Sequence, residues 1–182
     1  MPSIFSHALA GYTIGSALDP GGPTRRTRVL AVICAVAPDL DWFTEFLDPQ
    51  DRFGLSHRGI LHSLLSACII TGLAMLLGNR PQLRQLRPWV CLGAATFSHS
   101  VMDAFTFGGT GVAFLEPFSK ARFVSAWQPI FVSPIPLSDS LAEWLLFSLG
   151  TELIFIGLPA LLVLLALRRL RRGGGAPVES PD

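Results

Sequence analysis

Four histidines and three aspartates are the residues of this chain best suited to chemistry, because imidazole and carboxylate groups bind divalent metal ions. Most of them lie in or beside apolar stretches, where ionisable groups are costly and usually functional. The set consists of His7, Asp39, Asp41, His57, His62, His99 and Asp103. We therefore expect a buried polar site that binds metal.

The spacing favours ligation for some members more than for others. His99 and Asp103 are four residues apart, so on a helix both side chains project from one face toward one ion. His57 and His62 are five apart, about 140° on an ideal helix. They converge only if His57 lies in the turn before the helix, which Gly59 makes plausible.

Asp39 and Asp41 follow Pro38. On a regular helix their side chains would diverge, but a helix break at the proline brings one or both carboxylates inward. Of the two, Asp39 is slightly favoured as a ligand.

Simpler interpretations remain open for several of these residues. A lone histidine in an apolar helix is more often a hydrogen-bonded packing residue, which applies above all to His7. Asp39 and Asp41 fit a helix-end role equally well. Glu152 lies deep in the last apolar segment, where a carboxylate needs a partner. It is either an extra metal ligand, a group that holds a histidine, or a structural carboxyl bonded to a neighbouring helix.

The elements that must position these residues are membrane helices. Half of the residues are apolar, 15% are charged and the mean hydropathy is positive, which is too apolar for a soluble domain of this length. A short N-terminal segment at 1–18 precedes four longer ones at 29–47, 59–78, 88–107 and 141–167, each near the ~20 residues that a span needs. We expect an all-α integral membrane bundle with four to five hydrophobic segments.

Positive charge orients this bundle. Arginines cluster after the first, third and fifth segments, in alternate connections as the positive-inside rule requires. They are Arg25, Arg26 and Arg28, then Arg80, Arg84 and Arg87, and finally Arg168, Arg169, Arg171 and Arg172. We expect an outer N-terminus, a cytoplasmic C-terminus and a polar site near the outer face. Residues 1–170 form the membrane domain and 171–182 a disordered cytoplasmic tail.

The ordered set of motifs resembles a known family. His7, P-D-L-D at 38–41, H-R-G-x-x-H-S at 57–63, H-x-x-x-D-A at 99–104 and G-G-x-G at 108–111 resemble the LexA-binding, inner-membrane-associated metal-dependent hydrolases. The resemblance covers residues 1 to about 160. It implies a bacterial inner-membrane protein, and the LexA association implies a cytoplasmic contact for which the tail after Leu170 is the exposed candidate.

That family is in turn distantly similar to the zinc-dependent phospholipase C and single-strand nuclease superfamily. This similarity implies a helical bundle in which His7, Asp39, His57, His62, His99 and Asp103 serve phosphoester hydrolysis. The chain departs from the pattern at Phe107, where relatives often have an acidic residue, and at Gln128, where an arginine is usual.

The ligand types alone point to the same chemistry. Mixed imidazole and carboxylate ligands suit zinc, with manganese or iron as less favoured ions, and six or seven candidates exceed the needs of one catalytic zinc. We therefore expect two ions. Arg58, Lys120 and Arg122 are candidates to bind a substrate anion, although each also fits an ordinary interfacial cation.

Two classes of function follow. The first is a membrane-bound metal-dependent hydrolase that acts on a lipid or other amphiphilic phosphoester. The second is a non-enzymatic membrane protein whose metal is structural, or whose polar cluster serves partner binding or ion passage. Membrane lipid is the expected partner, and the net charge of +1 argues against nucleic acid.

Overall fold

The computed structural model of this protein describes residues 1–18, 24–44, 55–78, 84–131 and 141–173. These ranges contain seven α-helices and one short pair of strands. The helices are α1 (Ile4–Ala17), α2 (Arg25–Val36), α3 (Asp41–Thr44), α4 (Leu64–Gly78), α5 (Leu86–Ala104), α6 (Leu141–Glu152) and α7 (Leu158–Gly173). Strand β1 (Thr106–Phe107) pairs in parallel with β2 (Ile130–Phe131).

Irregular helical turns join some of these elements. A 3₁₀ turn at Ala37–Leu40 links α2 to α3, and another at Ile60–His62 precedes α4. A π-helical turn at Leu153–Gly157 joins α6 to α7, so that residues 141–173 form one continuous helix. It continues through Arg171 and Arg172, which the sequence assigned to the tail, and residues 174–182 lie outside the described ranges.

Helices α1, α2 and α5 form the centre of the bundle, with α4 packed on α5 and α7 packed on α1. Their shared core consists of small residues and a few larger ones: Ala31, Cys34, Ala35, Met75, Leu92 and Ala95. Close approach of α1 and α2 depends on Gly11, because a Cβ atom there would lie 2.6 Å from the Ala31 carbonyl oxygen and from the Ala35 Cβ. This is the small-residue packing that membrane helices favour.

The bundle is apolar outside and polar inside. Large hydrophobic side chains are exposed along α4, α6 and α7, including Leu65, Ile69, Leu77, Leu146, Leu153 and Leu162. Of the seven candidate metal ligands, His57 and Asp39 are partly exposed and the other five are buried. Such an arrangement suits a lipid environment, where apolar surface needs no cover.

Within the described residues, one helix is long and apolar enough to cross a membrane. It runs from Leu145 to Arg172 over 28 residues, and only 17% of its most apolar window is buried in the protein. The structure does not support the four to five spans expected from sequence. Helix α4 has 15 residues, about 22 Å of a core near 30 Å thick, and α2 has 12 because it ends before Pro38.

The helix ends fall into two groups. The start of α1, the end of α2, the start of α4 and the end of α5 lie together, since His99 of α5 bonds Ala35 of α2 and contacts His62. The arginine clusters lie at the opposite end, where Arg171 Nη2 donates to the Ser16 carbonyl at 2.6 Å. Residues 105–131, here termed the cap loop, cover the first end through bonds such as Ala113 N to Arg58 O, at 3.0 Å.

Replacing Gly11 by alanine should destabilise the bundle by about 1–3 kcal/mol, because the new methyl group meets backbone that cannot move aside. Gly72→Ala is the matched control, since a Cβ atom there meets nothing within 4 Å and alanine favours the helix. Thermal unfolding in detergent measures both variants. Equal melting temperatures for the two would contradict this account of α1–α2 packing.

Candidate functional site

All seven candidate ligands lie together at one end of the bundle. Helix α1 provides His7, the segment after α2 provides Asp39 and Asp41, the turn before α4 provides His57 and His62, and α5 provides His99 and Asp103. The His7 and His99 rings stack with centroids 3.7 Å apart, and the His62 centroid is 4.7 Å from that of His99.

The break in α2 produces this convergence. Pro38 lies in the first turn of the 3₁₀ segment, and the carboxylates that follow it turn toward the bundle interior. The Asp41 side chain is 1% exposed and that of Asp39 is 10% exposed. Likewise, His57 lies in a turn and His62 in the 3₁₀ segment before α4, so their rings meet with centroids 5.5 Å apart.

Asp41 holds two of the histidine rings. Its Oδ1 lies 2.8 Å from His57 Nδ1 and its Oδ2 lies 2.8 Å from His62 Nδ1, while Oδ2 also accepts from the Arg58 backbone N–H at 2.9 Å. His57 Nδ1 forms a hydrogen bond with Asp41, whereas His62 Nδ1 makes an ion-pair contact that is not aligned as a hydrogen bond. Because a carboxylate oxygen only accepts, we assign the Nδ1 hydrogen to both rings. Their Nε2 lone pairs therefore face away from Asp41, into the site.

The His99 ring is held in the same manner by a backbone carbonyl. His99 Nδ1 donates to the Ala35 oxygen at 2.7 Å, one of the last carbonyls of α2 and thus without a partner in its own helix. The carbonyl accepts only, so the His99 Nε2 lone pair also faces the site. Sequence inspection did not identify Ala35, because a backbone acceptor leaves no signal in residue type.

The two Nε2 atoms consequently face each other. His62 Nε2 and His99 Nε2 are 2.9 Å apart. Asp39 Oδ1 lies 3.3 Å from His99 Nε2, and Asp103 Oδ2 lies 3.3 Å from His62 Nε2. Four electron-pair donors at this separation repel one another unless a proton or a metal cation lies among them.

Other polar atoms at the site also lack partners. Both ring nitrogens of His7 and both carboxylate oxygens of Asp39 and of Asp103 are buried and form no hydrogen bond within the part of the chain that the structure describes. Buried groups of this kind require an explanation, such as a bound ion. Two sets of three ligand atoms lie within 4.8 Å of one another: His7, His99 and Asp103, and Asp39, His57 and His62.

The charge balance also favours a cation. Three buried or nearly buried carboxylates face one buried guanidinium, that of Arg58, which leaves two negative charges when the histidines are neutral. The helix dipoles oppose one another, since α2 and α5 end here whereas α1 and α4 begin here. Solvent reaches the site at the side chains of His57 and Asp39, which are 24% and 10% exposed.

Arg58 lies inside the site rather than at its rim. Its side chain is 2% exposed, and its Nε lies 3.1 Å from Asp103 Oδ2 as an ion pair. The backbone at Arg58 has φ of 64°, unusual for a residue with a long side chain. Gly109 permits this position, because a Cβ atom there would lie 1.6 Å from Arg58 Nη1.

The other two candidate anion-binding residues are placed differently. Arg122 connects the cap loop to the turn before α4, since its Nη2 donates to Ser56 Oγ at 2.8 Å and its Nη1 to the His57 carbonyl at 3.3 Å. Lys120 is exposed on the cap loop. The Arg58 guanidinium contacts the side chain of a candidate ligand, whereas the Arg122 guanidinium contacts the backbone of one.

Glu152 fixes the start of α1. Its carboxylate accepts from Ser3 N at 2.8 Å, from Ser3 Oγ, and from Ser6 Oγ at 2.6 Å. A carboxylate at a helix N-terminus is favourable, and His7 follows Ser6 directly. The structure therefore matches the third interpretation, a carboxyl bonded to a neighbouring helix. Its serine partners, 149 and 146 residues away, could not be inferred from sequence spacing.

Residues 1–173 match the family described as YdjM inner membrane protein. The chain is 32% identical over 165 residues to the inner membrane protein YbcI of Escherichia coli (strain K12), which covers 90% of this chain and 95% of the relative. No solved structure matches the chain.

Asp41→Asn should destabilise the metal-free protein by about 3 kcal/mol, because it removes the charged acceptor of the His57 and Arg58 hydrogen bonds and the ion-pair partner of His62. Asp39→Asn is the matched control. Its carboxylate oxygens accept no hydrogen bond within the described residues. Removing this negative charge from the neighbourhood of Asp103 should therefore leave the free energy of unfolding equal or higher. Thermal unfolding in chelator measures both. A larger loss for Asp39→Asn than for Asp41→Asn would refute these assignments.

Proposed function

This chain belongs to the YdjM inner membrane protein family, and from that premise we propose that it is a membrane-bound, metal-dependent hydrolase of a lipid or other amphiphilic phosphoester. The observation that carries the proposal is the pair of facing nitrogens, His62 Nε2 and His99 Nε2, 2.9 Å apart and flanked by Asp39 and Asp103. A metal centre requires lone-pair donors of this type and number that are oriented by partners on their other side.

The two ligand sets define the proposed centre. His7, His99 and Asp103 would hold one ion, and Asp39, His57 and His62 a second. Three protein ligands leave an open position, as at catalytic zinc sites, and zinc suits the mixture of imidazole and carboxylate better than manganese or iron. Asp41 orients His57 and His62 instead of binding metal itself. When bound, such ions would lower the pKa of coordinated water and polarise a phosphoryl oxygen.

The protein's own charges support an anionic substrate once metal is present. Three carboxylates and Arg58 leave two negative charges, which one divalent ion neutralises. A second ion adds two positive charges that an anion must balance, and a phosphoester supplies anionic oxygens. The binding of the second ion and the substrate should therefore be coupled.

Arg58 is the residue best placed to bind the phosphoryl group. Its Nη2 is buried and forms no hydrogen bond within the described residues, while its Nε contacts Asp103. A guanidinium that retains unused donors beside the ligands can bind a phosphoryl oxygen. Burial of the surrounding side chains excludes bulk water and strengthens this contact.

The distribution of arginines between the two ends of the bundle indicates on which side of the membrane the substrate lies. All described arginines of the sequence clusters lie at the end opposite the site. By the positive-inside rule that end is cytoplasmic, so the site faces the periplasm and the C-terminus the cytoplasm. A site at the membrane surface, beside a helix long enough to span it, favours a membrane lipid as substrate.

A second candidate function is a non-enzymatic membrane protein with a structural metal. The complete burial of His7, His99 and Asp103 favours it, because structural ions are enclosed by protein. Cobalt-substituted protein distinguishes the two functions. A visible spectrum that shifts on addition of phosphate indicates an open position and a hydrolase, whereas an unchanged spectrum favours the structural role.

His62→Ala and His99→Ala should each lower hydrolysis at least about 100-fold, since mutations of groups that merely orient ligands already cost 10–100-fold. Zinc-loaded protein in detergent would be assayed on an aryl phosphodiester and on phosphatidylglycerol. Ser98→Ala is the control on α5, because the Ser98 hydroxyl bonds only the Ala95 carbonyl among the contacts described. Full activity in both histidine variants would contradict the proposal.

A further inference from the structure

An apolar cavity of about 380 Å³ lies between α1, α5, the π-helical turn and α7. Its walls include Ala10 and Ile14 of α1, Met102 of α5, and Ile156 and Ala160 of the last helix. Almost all the lining atoms are carbon. The candidate metal centre does not use this cavity.

The cavity adjoins the site on two of its walls. On α1, Ala10 and Ile14 follow His7 by three and seven residues, which places them on the same helix face. On α5, Met102 follows His99 by three residues and so lies on the same helix face. The last helix lines the cavity from Phe155 to Val163, about 12 Å in the direction away from the Ser3–Glu152 contact and toward the arginine-rich end.

The long helix is deformed where it lines this cavity. The π-helical turn contains Phe155 and Ile156, and Pro159 follows it. Such turns are rare and are frequent at functional sites. The cavity also opens sideways on the outer surface of the bundle, where Trp127 is 62% exposed and Val163 is 41% exposed.

The size of the cavity decides what kind of occupant fits. A cavity of about 380 Å³ lies within the range of about 300–1,000 Å³ that is typical of small-molecule sites. Its apolar walls and its length of about 12 Å along the last helix match a single hydrocarbon chain, which forms no hydrogen bonds.

We propose that this cavity holds one acyl chain of a glycerophospholipid whose phosphoester lies at the metal centre. The inference rests on the proposed function and names its substrate class. The chain enters from the bilayer through the side opening near Trp127 and Val163. Burial of apolar chain supplies the binding free energy, and the depth of the cavity positions the headgroup beside Arg58.

The test is phospholipid binding by detergent-purified protein, measured by native mass spectrometry with phosphatidylglycerol. Ala160→Phe places a ring in the cavity and should weaken binding about tenfold or more, the loss expected from displacing two methylenes. Ala166→Phe is the matched control, with the same change on an exposed position of α7. It should bind as the unaltered protein does.

A second variant keeps the test valid if Ala160→Phe fails to fold. Val163→Trp blocks the half-exposed opening and leaves buried packing unchanged, so it should weaken binding in the same direction at an unaltered melting temperature. A photoreactive group at the end of one acyl chain should label cavity residues such as Met102. Equal lipid binding by Ala160→Phe, Val163→Trp and Ala166→Phe would overturn the proposal, as would labelling confined to the exposed face of α4.

This test separates the acyl-chain site from the hydrolase. Cavity-dependent lipid binding by a protein without hydrolytic activity supports the chain site and contradicts the hydrolase. If the protein hydrolyses a soluble aryl phosphodiester but the cavity variants bind lipid as well as the unaltered protein does, the hydrolase is supported and the chain site is overturned. A polyprenyl phosphate that displaces phosphatidylglycerol from the cavity at lower concentration would overturn the assignment to a glycerophospholipid.

Discussion

The contact between His62 Nε2 and His99 Nε2 is the constraint on which the rest of the structure depends. In each ring the opposite nitrogen faces an acceptor, the Asp41 carboxylate for His62 and the Ala35 carbonyl for His99. Bringing the two together requires α2 to end before Pro38 and the chain to turn at residues 56–63. A proton or a metal cation between the two nitrogens removes the repulsion of their lone pairs, and the carboxylates of Asp39 and Asp103 lie beside them.

The rest of the bundle positions this polar centre and has a mostly apolar outer surface. Small residues allow α1 and α2 to approach closely, Glu152 fixes the start of α1 ahead of His7, and the cap loop holds Arg58 against Asp103. Exposed leucines and isoleucines occupy the outer faces of α4, α6 and α7. A lipid environment reconciles these features, since the free energy of the fold then comes from packing and internal polar contacts.

Local features of the site could be predicted from the sequence, whereas its long-range contacts could not. The break at Pro38, the turn before α4 and the shared helix face of His99 and Asp103 follow from neighbouring residues. Glu152 bonds serines almost 150 positions away, and Arg58 is buried because Gly109 leaves space for it. The expected number of spans exceeded what the structure supports, because apolar composition at 29–47 and 59–78 did not reveal where the helices end. The roles of the ligands as metal-binding groups stay predictions.

Metal content per chain, determined by elemental analysis of detergent-purified protein in phosphate, tests the central claim most directly. The account predicts close to two zinc ions per chain, and their loss from the His99→Ala, Asp103→Ala double variant. Absence of metal from both proteins, even after reconstitution with zinc and phosphate, would contradict it. The facing nitrogens would then be held by a proton on His62, and the site would be a polar packing cluster without hydrolytic chemistry.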